Sequence, residues 1–161
     1  MIAFAAAIGL WAPMRIRPSQ PADADRLFQV WHDAVKATHH FLSAEDFAAI
    51  AGDVRTYLAS ASFWVADDEA GQPAAFMGMT GAHIDALFVD PARHGHGIGR
   101  ALTDHARHHE EDGVLTVDVN EQNDGAVAFY ERIGFVRFDR SALDDAGRPY
   151  PLLHLRRSIS R

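Results

Sequence analysis

The stretch from Asp85 to Leu102 constrains this chain most. It reads Asp-Ala-Leu-Phe-Val-Asp-Pro-Ala-Arg-His-Gly-His-Gly-Ile-Gly-Arg-Ala-Leu. An apolar strand runs into three alternating glycines, Gly95, Gly97 and Gly99, which lead straight into an amphipathic helix. Glycine reaches backbone conformations closed to other residues and lets a ligand come close to the main chain. The first amides of a helix have no partner within it, and the helix dipole favours negative charge there. Strand, glycine loop and helix in this order predict a cradle for a phosphate-bearing ligand.

Two common phosphate ligands fail on spacing. A dinucleotide fold wants Gly-x-Gly-x-x-Gly. Counted from Gly95 the third position is Arg100, and counted from Gly97 it is Leu102. The Gly-x-x-x-x-Gly-Lys-Ser/Thr run of a nucleoside triphosphate loop does not occur. Cysteine is absent, which excludes disulfides, thiolate metal sites and a cysteine nucleophile, and fits a reducing cytoplasm. The net charge of −7 argues against a nucleic-acid partner and is compatible with a cationic one.

The length of 161 residues suits one domain. Residues 1–13 carry no charge and are too short for a membrane span, which needs roughly 20 apolar residues. No basic residue precedes the apolar run, as a secretory signal requires. The expectation is a non-native or disordered extension over 1–13, with Met14 as the true start, and a single domain over 14–161 with no membrane association.

Periodicity predicts a short strand at Arg15–Arg17 and a helix carrying Leu27, Val30, Trp31 and Val35. A second helix runs from an N-cap at Ser43 through Leu58. Strands are expected at 62–66, 74–80 and 83–89, with a turn over 67–73 and a bulge or close approach at Gly78. The helix after the glycines should reach about Glu111, and His105, His108 and His109 read as its solvated face. A strand at 114–119 alternates Val114, Thr116 and Asp118 against Leu115, Val117 and Val119. Asn123 opens a helix that Gly134 ends, and strands over 135–140 and 150–156 close the chain. This is an α/β pattern, a mixed sheet covered by helices, in which ligands lie at strand ends.

Two blocks carry a resemblance. Phe88-Val89-Asp90-Pro91 followed by Gly95-His96-Gly97-Ile98-Gly99-Arg100-Ala101-Leu102 resembles the acetyl-CoA motif of the GNAT (Gcn5-related) N-acetyltransferases. One strand later, Asn123-Asp124-Gly125-Ala126-Val127-Ala128-Phe129-Tyr130, then Gly134-Phe135, is similar to the family's Asn-x-x-Ala-x-x-Phe-Tyr helix and Gly-Phe. Thr38-His39-His40-Phe41-Leu42-Ser43, His83-Ile84-Asp85-Ala86-Leu87 and Arg148-Pro149-Tyr150-Pro151-Leu152-Leu153 further resemble a bacterial YjaB-like subgroup. The match runs from Met14 onward. It implies a mostly antiparallel central sheet flanked by helices, with a splayed parallel strand pair at the cofactor cleft.

The resemblance also implies roles. Leu87, Phe88 and Val89 would pair through their main chain with the pantetheine of acetyl-CoA. His94, Gly95, His96, Gly97, Ile98, Gly99 and Arg100 would hold the pyrophosphate, although the family usually has Arg or Gln where His94 stands. Asn123 would contact the cofactor, unless its oxygen only caps the helix. Tyr130 would protonate the leaving CoA thiolate, while Phe129 is core. Asp85 or His83 is the candidate base: alternation puts both on one face of their strand. His39, His40, Glu121 and Tyr150 are candidates for the acceptor pocket. His39, His40, His94 and His96 do not complete a metal set.

The implied activity is transfer of an acetyl group to a primary amine by direct attack in a ternary complex, with no acyl-enzyme. Protein lysine, an N-terminal amine, an aminoglycoside and a polyamine remain open as acceptors, as do other acyl chains. The alternative is a CoA-binding sensor or interaction module that has lost catalysis. A homodimer through the C-terminal strands is expected.

Overall fold

The computed structural model describes residues 14–109 and 113–158. The expectation for residues 1–13 lies outside them. Chain order is β1 (Arg15–Pro18), α1 (Ala24–Thr38), α2 (Ala44–Ser60), β2 (Trp64–Asp67), β3 (Pro73–Thr80), β4 (His83–Val89), α3 (Ile98–Ala106), β5 (Val114–Asn120), α4 (Asp124–Arg132), β6 (Val136–Ser141) and β7 (Leu152–Ser158). The seven strands form one sheet in the order β1-β2-β3-β4-β5-β7-β6. Every neighbouring pair is antiparallel except β4 and β5. The mixed, mostly antiparallel sheet expected from the sequence is therefore the fold.

Helices cover both faces. Leu27, Val30, Trp31 and Val35 of α1 and Leu58 of α2 bury against Val65 and Phe76 on one face. Ile98, Leu102 and Ala106 of α3 and Tyr130 of α4 bury against Met77, Ile84, Leu115, Val117 and Leu155 on the other. The strict alternation of β5 has a direct cause here, since Leu115, Val117 and Val119 fill that second core. Burying a side chain of this size is worth roughly 1.5–3 kcal/mol, which explains why the apolar period is kept.

The local signals act where they were read. Ser43 accepts the Asp46 amide at 3.1 Å and caps α2. Beyond α4, Gly134 takes φ +100, and the amides of Gly134 and Phe135 close on Glu131 and Tyr130. At Gly78 a side chain would run into the Tyr57 hydroxyl, so the close approach is real. The pairing register shifts beside it: Gly78 faces Ala86 and Met79 faces Ile84, which leaves Asp85 as the extra residue on β4.

Two expectations change. The helix after the glycine loop ends at Ala106 and tightens into a 3-10 turn over Arg107–His109, short of Glu111. The Arg107 amide bonds to the Asp104 and His105 carbonyls, which is the tighter pattern. His105 is half-buried with its ring 4.3 Å from that of Trp64, so it does not share a solvated face with exposed His108. The side chain of His109 lies outside the described residues.

The feature that positions the site is the seam between β4 and β5. Only His83–Thr116 and Ile84–Val117 are paired, although each strand has seven residues. Beyond Ile84 the two strands part.

Candidate active site

A cleft of about 570 Å³ opens where the strands part. Leu87, Phe88 and Val89 of β4 form one wall, and His94, Gly95 and Gly97 to Arg100 of the glycine loop form its end, with His96 outside the lining. Asn123, Phe129 and Tyr130 close the opposite side. Gly97 sits at the N-cap of α3 with φ +76, a left-handed conformation that disfavours any other residue. Ile98, Gly99 and Arg100, the first residues of α3, line the cleft end, and helix-start amides without a partner in the helix suit an anion. Gly99 lies where a side chain would come within 3.1 Å of Phe129, which lets α3 and α4 approach. Arg100 and Arg132 add cations to the lining, and Arg132 was not singled out by its sequence.

His94 and His96 both point back into their own loop. The His94 ring lies 3.2 Å from the Val89 carbonyl, and that of His96 3.0 Å from the Arg93 carbonyl. Arg93 reaches away to Asp68 and Glu69 at 3.1 and 3.3 Å. Asn123 spends its side-chain oxygen on the Ala126 amide at 3.1 Å, which leaves its amide hydrogens as the groups a ligand could use.

Tyr130 is 6% exposed. Burial pushes its hydroxyl well above the ordinary tyrosine value, so it stays protonated at neutral pH. Among the described residues none takes a hydrogen bond from it. The cleft therefore holds a buried, uncommitted proton donor.

A second opening of about 400 Å³ borders the same strand. His83 and Asp85 of β4, Asp118 of β5, and Asp144, Asp145 and Arg148 of the β6–β7 loop line it. His83 Nδ1 lies 2.8 Å from the Thr116 hydroxyl, and its Nε2 lies 3.7 Å from an Asp118 oxygen. Asp85 is exposed and accepts a hydrogen bond from Thr80 at 2.6 Å. Asp118 in turn pairs with His154 at 2.5 Å, and His154 with Ser141 at 2.6 Å. Sequence reasoning named His83 and Asp85 but passed over Asp118, His154 and Ser141. The alternation of β5 had set Asp118 on the face away from the core, but its pairing with His154 is a cross-strand register that no local pattern prints.

The remaining candidates spread out. His39 lines the cofactor cleft, not the acidic pocket, and burial followed by neighbouring His40 pushes its pKa down. His40 is exposed. Tyr150 is buried, and its hydroxyl donates to Asp46, tying the β6–β7 loop to the start of α2. Glu121 is held by Arg140 through two 2.8 Å contacts, which keep its carboxyl below the usual range. Among the described residues no cluster of three or more His, Asp or Glu side chains is placed to hold a metal.

A parted β4–β5 seam, a glycine loop at a helix start and a buried tyrosine at the cleft define an acyltransferase of the GNAT class. The GNAT acetyltransferase domain model matches residues 59–137. The chain belongs to this family and is an acetyl-CoA-dependent N-acetyltransferase. It is 46% identical over 140 residues to peptidyl-lysine N-acetyltransferase YjaB of Escherichia coli K12, covering 87% of this chain and 94% of that one. Identity to the YjaB protein of Salmonella typhimurium LT2 is 44% over 142 residues, covering 88% and 97%. The solution structure of apo-form YjaB from Escherichia coli matches with a TM-score of 0.84 at 45% identity, covering 89% of this chain and 96% of that one. The resemblance read from the two motif blocks is thus borne out.

Proposed function

We propose that this protein acetylates the side-chain amine of protein lysines, by direct attack on acetyl-CoA within a ternary complex. The observation that carries this reading is the pair of openings on β4. One holds the glycine loop and Tyr130, and the other is lined by four aspartates, Asp85, Asp118, Asp144 and Asp145. An acidic pocket suits a cationic side chain, and the YjaB relatives are named for peptidyl-lysine.

The cofactor would lie with its pantetheine along Leu87–Val89 and its pyrophosphate on the loop from His94 to Arg100. The cations of Arg100 and Arg132 and the Asn123 amide flank it. Tyr130 is the general acid. Its hydroxyl gives its proton to the CoA sulfur as the C–S bond breaks. A base is needed as well. A lysine amine with pKa near 10.4 costs about 4.6 kcal/mol to deprotonate at pH 7, and His83 and Asp85 are the two candidates. Tyr150 shapes the acceptor's approach indirectly, by holding the β6–β7 loop, whose Asp144 and Asp145 line the acidic pocket, to Asp46, whereas His39 faces the cofactor cleft and His40 and Glu121 lie outside both openings. The acetyl-CoA donor and the cysteine-free sequence support a cytoplasmic site of action. Edge strand β6, with Val136 and Phe138 exposed, supports a homodimer through the C-terminal strands.

The test is mass spectrometry of lysine-containing proteins and peptides incubated with the enzyme and acetyl-CoA. Acetylated lysine side chains are expected. Modification of N-terminal amines or polyamines alone would redirect the acceptor.

A further inference from the structure

We infer that His83 and Asp118 together hold the acceptor nitrogen, and that His83 removes its proton. This rests on the acetyltransferase reading above and goes further by assigning the base and a partner for it. The last paired residues of the β4–β5 seam are His83–Thr116 and Ile84–Val117, so both side chains stand at the point where the sheet opens. His83 Nδ1 is engaged by the Thr116 hydroxyl at 2.8 Å, which leaves Nε2 for the pocket. Nε2 and Asp118 Oδ2 are 3.7 Å apart. That is too long for a hydrogen bond between them, but two acceptors so spaced can both reach one nitrogen about 2.8 Å from each.

Asp118 is aimed by residues behind it. Its Oδ1 accepts from His154 Nδ1 at 2.5 Å. A neutral imidazole that donates at Nδ1 carries its lone pair at Nε2, and there the Ser141 hydroxyl, 2.6 Å away, is the donor. The hydrogen bonds run one way, from Ser141 through His154 to Asp118. Oδ2 is the carboxylate oxygen left for a ligand. His154 and Ser141 are therefore positioning residues.

The proton step balances simply. One N–H bond of the acceptor ammonium breaks and its electron pair stays on nitrogen. A new Nε2–H bond forms on His83, and the resulting imidazolium faces the Asp118 carboxylate. Asp85 is the less available of the two candidates, because its carboxylate is exposed and already accepts from the Thr80 hydroxyl at 2.6 Å. Its charge, with those of Asp144 and Asp145, draws the cation in. Arg148 is spread over Asp46, Asp53 and Asp144, each within 3.8 Å.

Steady-state kinetics with acetyl-CoA and a lysyl peptide test this in the wild type, His83→Ala, His83→Gln, Asp118→Asn and His154→Leu. Both His83 variants should lose about 100-fold in kcat, and added imidazole should restore part of the Ala variant's rate. Asp118→Asn should raise the peptide KM about tenfold or more and leave the acetyl-CoA KM unchanged. His154→Leu should shift the same constant less. Each variant's thermal shift with acetyl-CoA reports that it is folded. Wild-type kcat and peptide KM in Asp118→Asn and both His83 variants would overturn this inference alone. A wild type that binds acetyl-CoA and acetylates no lysyl peptide would overturn the acceptor reading, and this inference with it.

Discussion

At the scale of one residue, Tyr130 offers the test that separates catalysis from binding. Its side chain is buried at the cleft, and its hydroxyl is pushed toward the protonated form. Tyr130→Phe keeps the ring in the core and removes only the donor. We expect kcat to fall about 100-fold while the thermal shift with acetyl-CoA is retained; an unchanged kcat would remove Tyr130 from the chemistry. Gly97 makes a complementary prediction. Gly97→Ala places a side chain at φ +76, which should cost about 1 kcal/mol in chemical denaturation and weaken acetyl-CoA binding. That Gly97 and Tyr130 line one cleft was legible because the motif blocks name their positions. Glu121 shows the limit: it sits in the turn after β5, its partner Arg140 lies 19 residues away on β6, and nothing local in the sequence joins them.

At the scale of elements, β1, α1 and β2 are pinned by one guanidinium. Arg17 of β1 forks onto Asp23 at 2.8 and 3.0 Å and onto Asp67 of β2 at 2.8 and 3.1 Å. Both carboxylates are nearly buried, so removing the cation strands two charges. Arg17→Met should destabilise by about 3 kcal/mol near neutral pH. The hydrogen bond from Arg17 holds the Asp23 carboxyl below its usual range. Its contribution is therefore present above the unfolded value, about pH 4, and is lost as pH falls through the folded one. Denaturation of wild type and Arg17→Met should converge below about pH 4. Helices and strands were readable from their periods and caps, because Ser43, Asn123 and Gly134 each act on the backbone within a few residues. The extra residue at Asp85 was not. A bulge is defined by the partner strand, and the sequence marks only its smaller side, Gly78.

For the whole molecule, a homodimer through the C-terminal strands should sediment as two copies and dissociate when Phe138 on exposed β6 is replaced by Lys. Acetyl-CoA at one hundred times its dissociation constant should add about 2.7 kcal/mol of stability, seen as a midpoint raised by several degrees. The sheet's layering was legible as a pattern of apolar faces, but strand order was not. Placing β7 between β5 and β6 is a long-range choice that alternation alone leaves open. That order also makes β4–β5 the weakest joint in the sheet, with two paired positions between a four-stranded and a three-stranded half. A bound pantetheine would lie in the gap as a borrowed strand. The donor substrate is then also mortar: amide hydrogens of Leu87–Val89 should exchange more slowly when it is present, and each turnover would loosen the wall that the next donor mends.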